Sequence, residues 1–123
     1  MIAGIDHIVL TVRDVEASIT FFQGALGLHA ITFAGERRAL VVGQQKINLQ
    51  TLGQETRNHA VIGSGDLCLE TTEPLTELIA RLTALDIAIL EGPVEKSGAR
   101  GPITSVYFND LDGNLIEVSS YAP

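Results

Sequence analysis

The chain has 123 residues, 46% of them hydrophobic, with no Trp and a formal net charge of −7. That length suits one compact domain, and a domain of this size buries about two-thirds of the surface its unfolded chain exposes, here around an aliphatic core. No apolar run approaches the ~20 residues of a membrane span, no basic region followed by an apolar run opens the chain as a secretion signal would, and the eight Lys and Arg are scattered without interleaved aromatics, which argues against nucleic-acid binding.

Residues 5–12 are rich in Ile, Val and Thr and alternate as a strand, with Ile8, Leu10 and Val12 on one face and His7, Val9 and Thr11 on the other. Val15, Ile19, Phe22 and Leu26 fall at helical spacing, which predicts a helix over 15–26 capped by Asp14 and ended at Gly27. Short strands are predicted at 28–34 and 37–42 with a hairpin turn at Ala34-Gly35-Glu36, then a strand at 45–51. Arg37-Arg38 reads as a solvated hairpin rather than an anion site. Residues 53–65 are polar and turn-rich and read as a connection. A second strand-and-helix pair follows: a strand from Asp66, then Leu75, Leu78, Ile79, Leu82 and Leu85 on one helical stripe, with Pro74 in the first turn. A short strand at 87–90, a loop from Glu91 to Gly101, a strand at 103–109, a tight turn from Asp110 to Asn114 and a strand at 114–120 complete the chain.

The order β-α-β-β-β therefore occurs twice, once in a module at about 4–52 and again at about 64–121. This predicts an α+β fold across residues 1–123: two tandem βαβββ modules forming curved mixed sheets around a cleft, with the helices on the outer face.

On this reading His7, Asn48, Gln50, Asp66 and Glu117 all fall on cleft-facing strand positions. Imidazole nitrogen and carboxylate oxygen from both modules suit one divalent cation. Each residue also has a plainer reading. A strand histidine is commonly a hydrogen-bonded structural residue, Asp66 can cap a turn after Gly65, and Asn48 and Gln50 are better hydrogen-bonding groups than ligands. Glu117 lies between Ile116 and Val118, where a buried carboxylate calls for a charge or a metal beside it. Cys68 should face the cleft as a small core residue, and His29 and His59 read as surface residues.

Asp6-His7-Ile8-Val9-Leu10-Thr11-Val12 resembles the opening strand of the vicinal oxygen chelate superfamily, which includes glyoxalase I, extradiol dioxygenases, fosfomycin-resistance thiol transferases and methylmalonyl-CoA epimerase. Phe21-Phe22 through Leu26-Gly27-Leu28 resembles its first helix and exit. Asp110-Leu111-Asp112-Gly113-Asn114-Leu115-Ile116-Glu117 is similar to its closing D-P-D-G-N-x-I-E signature. Lys46–Leu49, Gly63–Cys68 and Gly101–Phe108 resemble strands of the small glyoxalase-domain proteins. The resemblance implies one divalent metal (Ni, Zn, Mn, Mg or Fe) held from the first and last strands of each module. Carried over, His7 and Glu117 stand on ligand positions. Asp66 stands where many members have His, Asn48 where glyoxalases have Glu, and Gln50 where close relatives have His; these changes should weaken the metal.

The resemblance further implies Lewis-acid chemistry on a small metabolite that offers two neighbouring oxygens, with Glu117 or Asp66 moving a proton. A metal-dependent lyase or isomerase is the expected activity. The alternatives are a metal-free sequestering protein of the bleomycin-resistance kind and a ring-cleavage dioxygenase, whose iron usually needs two His and one carboxylate. A homodimer is expected, since pairing protects sheet edges. With one cysteine, which cannot form an internal disulfide, a reducing cytoplasm is the simplest setting.

Overall fold

In a computed structural model, which describes residues 1–121, strands and helices follow the repeat legible in the sequence. The chain divides into two units, Met1–Gly65 and a second beginning at Asp66. The first contains β1 (His7–Thr11), α1 (Val15–Leu26), β2 (His29–Phe33), β3 (Arg37–Val42) and β4 (Gln45–Gln50). Its sheet runs β1-β4-β3-β2, with β1 parallel to β4 and the other pairs antiparallel. The second contains β5 (Asp66–Glu70), α2 (Leu75–Ala84), β6 (Glu91–Gly98), β7 (Gly101–Asn109) and β8 (Leu115–Ser120). Its sheet runs β5-β8-β7-β6, with β5 parallel to β8. The α+β, twice-βαβββ expectation is therefore correct. Among the described residues no helix is long and apolar enough to cross a membrane.

The helix ends follow local chemistry. The Asp14 carboxylate accepts a 3.0 Å hydrogen bond from the Ala17 N–H, satisfying one of the free donors of the first turn of α1. Gly27 closes the helix at φ 65°, where a side chain would be strained. The buried stripe of α1 is Ser18, Ile19, Phe22 and Ala25. The helix contacts β2 and β3, and the Arg38 guanidinium on β3 donates to Glu16 on the helix and to Thr32. Arg38 is thus a helix-to-sheet tie rather than a solvated hairpin residue. In the second unit Leu78 and Leu82 of α2 are fully buried, as are Val106 and Phe108 of β7 and Ile116 of β8.

Three expectations need correction. No strand forms at 87–90; the strand is β6, across the segment expected to be a loop. Gly92 and Pro93 suggested a loop, but β6 is the edge of its sheet, and its register shifts between Glu91 and Val94. An edge strand tolerates Pro because one side of its backbone has no strand to bond, and a bulge absorbs the irregularity. Pro74 precedes the helix rather than lying inside it: its ψ of 131° is extended, and Leu75 is the first helical residue. Leu85 leaves the stripe because the helix ends at Ala84, and its side chain is exposed.

The turn before β8 is built by one side chain. Asp110, buried, accepts hydrogen bonds from the backbone N–H groups of Asp112 and Asn114 and from Asn114 Nδ2, at 2.8–2.9 Å. Gly113 takes φ 85° within it. The Asp-x-Asp-Gly-Asn pattern is thus a turn that fixes where β8 begins, and hence which face Glu117 occupies.

Candidate functional site

In the first unit, residues paired across parallel strands share a face. Val9 pairs with Asn48 and Thr11 with Gln50, so His7, Asn48 and Gln50 lie together on the face opposite Leu10, Ile47 and Leu49. His7 is exposed, and its Nδ1 is 2.8 Å from Asp6 Oδ1. A carboxylate on one ring nitrogen orients the ring and leaves the other nitrogen for a ligand. Asn48 is 4% exposed, and its Oδ1 is buried without a hydrogen-bond partner. Such an orphaned acceptor is costly unless a donor or a cation reaches it. Gln50 is also buried, and its Nε2 donates to Thr11 Oγ1 at 3.1 Å.

In the second unit, β5, β8 and β7 bring a polar cluster onto one face. Glu117 pairs with Cys68 on one side and Tyr107 on the other, and Ser119 pairs with Glu70 and Ser105. Ser105 Oγ donates to Glu117 Oε2 at 2.6 Å, and Ser119 Oγ lies 3.2 Å from the same oxygen. The two hydroxyls are 2.7 Å apart, and Cys68 Sγ is 3.1 Å from Ser119 Oγ. Tyr107 completes the surroundings; burial first, then hydrogen bonding to Glu117, pushes its hydroxyl above the ordinary tyrosine range. Burial likewise pushes the Cys68 thiol up, with the Ser119 bond opposing it. The thiol is exposed on the cavity side rather than a core residue. Asp66 opens β5 on this face, exposed, two residues before Cys68.

A cavity of about 290 Å³ opens beside this cluster, lined by Cys68, Glu70, Arg100, Glu117, Ser119 and Tyr121 among others. Arg100, in the β6–β7 turn, stacks 4.2 Å from the Tyr121 ring centroid and bonds Glu70 at 3.0 Å. The segment expected to be a loop is therefore part of a hairpin that walls this cavity. His29 and His59 are exposed, as expected.

Sequence reasoning found Glu117 and missed Ser105, Ser119 and Tyr107. The available signal was the two-residue period: Ser119 shares a face with Glu117, and Ser105 shares a face with Tyr107. Among the described residues no group of three or more His, Cys, Asp and Glu is gathered as an ion-holding cluster. Taken unit by unit, the donor types nonetheless suit a divalent cation. One imidazole is held by a carboxylate, one amide oxygen is orphaned, and the hydrogen-bond partners of the half-buried Glu117 carboxylate are neutral hydroxyls and a thiol rather than cations.

Residues 4–118 match the family model of the Glyoxalase/Bleomycin resistance protein/Dioxygenase superfamily, and the chain belongs to that family. Within it, the chain is 46% identical to virulence protein STM3117 of Salmonella typhimurium, over 95% of this chain and 83% of that protein. It is 40% identical to the glyoxalase domain-containing protein RDO1 of Mycosarcoma maydis, over 98% of this chain and 69% of that one. Among solved structures, the integron cassette protein VCH_CASS1 of V. cholerae superposes with a TM-score of 0.93 at 45% identity, covering 99% and 98% of the two chains. The fold extends, at 22% identity, to the lactoylglutathione lyase of Agrobacterium tumefaciens (TM-score 0.77). At the same identity it extends to the fosfomycin resistance protein FosX of Listeria monocytogenes, whose structure holds Mn(II) and sulfate (TM-score 0.71).

Proposed function

We propose that the protein is a metal-dependent, glyoxalase-like lyase or isomerase acting on a small metabolite that presents two neighbouring oxygens. The observation that carries this reading is Glu117, a half-buried carboxylate beside a cavity whose hydrogen-bond partners are all neutral. Lys96, whose charge interacts with Glu117, is itself ion-paired with Glu91, so this partly buried negative charge has room to gain a cation of its own. His7 in the first unit and Asp66 and Glu117 in the second are the ligands this reading assigns, with Asn48 Oδ1 as an additional oxygen in the first unit and Gln50 already committed to Thr11. The Mn(II) in FosX supports a divalent cation for this fold.

A divalent ion bound there would polarise the two substrate oxygens as a Lewis acid. The chain's own groups supply the rest. When it is detached from the ion, Glu117 can accept a proton from substrate through Oε1, since both serine hydroxyls engage Oε2. Asp66, exposed on the same face, is the other carboxylate able to do so. Tyr107, with its raised pKa, keeps its proton at neutral pH and through its hydrogen bond to Glu117 helps hold that carboxylate. The β6–β7 hairpin limits solvent around Glu117.

A second reading, metal-free sequestration of a ligand, draws on one observation: the module-one candidates other than His7 are amides, and one of them already bonds Thr11. Metal analysis of protein purified without chelator separates the two. Near-stoichiometric metal is expected, and His7→Ala and Glu117→Gln should each lower it at least about tenfold. Tight small-molecule binding by metal-free protein, unchanged in both variants, would establish sequestration instead.

A further inference from the structure

We infer that Ser105 is a positioning residue: backed by Ser119 and Cys68, it fixes Glu117 by Oε2, so that the carboxylate meets a divalent ion through Oε1 alone. The inference rests on the reading of Glu117 as a ligand given above.

Proton counting carries it. Ser105, Ser119 and Cys68 each have one hydrogen to donate. The 2.6 Å contact from Ser105 Oγ to Glu117 Oε2 is the shortest in the cluster and is charge-assisted, so the Ser105 proton points at the carboxylate. Ser105 Oγ is then an acceptor for Ser119 at 2.7 Å, and Ser119 Oγ is an acceptor for the Cys68 thiol at 3.1 Å. The one alternative use of the Ser119 proton, the 3.2 Å approach to Glu117, ends on the same Oε2. Either arrangement loads Oε2 and sends neither serine proton to Oε1; the Tyr107 hydroxyl, which also hydrogen-bonds Glu117, does not remove that load. Ser105 and Ser119 are 0% and 1% exposed, so water does not substitute for these partners. Two buried hydroxyls add nothing to packing that an aliphatic side chain would not, and they carry a desolvation cost unless they are satisfied. Here the carboxylate and one another satisfy them. The strand register holds the arrangement in place, because Cys68 and Ser105 are the cross-strand partners of Glu117 and Ser119 respectively.

The test compares wild type with Ser105→Ala, Ser119→Ala and Ser105→Thr, each checked for folding by circular dichroism. Mn(II) binding is followed by electron paramagnetic resonance. The Glu117 carboxylate bands are assigned by infrared difference against Glu117→Gln, with and without Mn(II). Ser105→Ala should bind Mn(II) about 10–100-fold more weakly, and its carboxylate band splitting should narrow from the one-oxygen to the two-oxygen pattern. Ser119→Ala should lie between Ser105→Ala and wild type, and Ser105→Thr should restore the wild-type bands. A folded Ser105→Ala with wild-type affinity and bands would overturn the inference while leaving the metal reading standing. If wild type binds no Mn(II), the metal reading falls with the ion-directed role of Ser105. The metal-free spectra then decide whether Ser105 fixes the carboxylate: a shifted Glu117 band in Ser105→Ala upholds that part, and an unshifted one overturns it.

Discussion

Glu73 and Arg81 show how a single pair can fix a helix and register pH. Arg81, in the last turn of α2, reaches back with both terminal nitrogens to both carboxylate oxygens of Glu73. Hydrogen bonding to Arg81 holds the Glu73 carboxyl below its usual range. A depressed carboxylate stabilises the fold above its unfolded value of about 4.3, and that contribution disappears as pH falls through the lower folded value. With both side chains partly exposed, solvent screening limits the pair to roughly 0.5–1 kcal/mol. Glu73→Gln should therefore lower stability to urea by that amount at neutral pH, and the gap from wild type should close in acid. A gap that stays constant with pH would show that the pairing is not its cause. At the same scale, His7 and Glu117 were legible from residue type and position. Ser105 was not, because a serine between Thr104 and Val106 carries no local mark of the carboxylate it serves.

β6 is where local signals and sheet context disagree. Its Gly-Pro pair reads as a loop, yet the segment completes the sheet as an edge strand with a bulge. Gly92 is the residue that permits it. It takes φ 110°, and a Cβ there would lie 2.3 Å from the Ser105 carbonyl oxygen. A side chain would meet both a disfavoured backbone conformation and main chain that cannot step aside. Gly92→Ala is expected to cost about 2–4 kcal/mol, read as a fall in Tm. Because the clash falls on Ser105, it should also disturb the Glu117 infrared bands. Wild-type stability in this variant would mean that β6 does not approach β7 as described. The other elements were legible because each carries its own signal: an Asp cap and Gly stop on α1, alternation along β7 and β8, and an apolar stripe on α2.

Assembly is the expectation that belongs to the whole molecule. β1 and β2 edge one sheet, and β5 and β6 edge the other. Edge strands carry unpaired backbone groups that proteins commonly cover or pair. We propose a homodimer, which light scattering after size exclusion would report as about twice the 13.1 kDa chain mass; a monomer at micromolar concentration would refute it. By itself the sequence determined the repeated βαβββ order, the limits of α1 and the polar face of most strands, because caps, stops and two-residue alternation act over a few neighbouring positions. Only the tertiary structure decided that β6 is a strand and that Cys68, Ser105 and Ser119 gather around Glu117. Pairing register brings together residues as far as 51 positions apart, and backbone hydrogen bonding between strands, rather than any short run of side chains, selects that register.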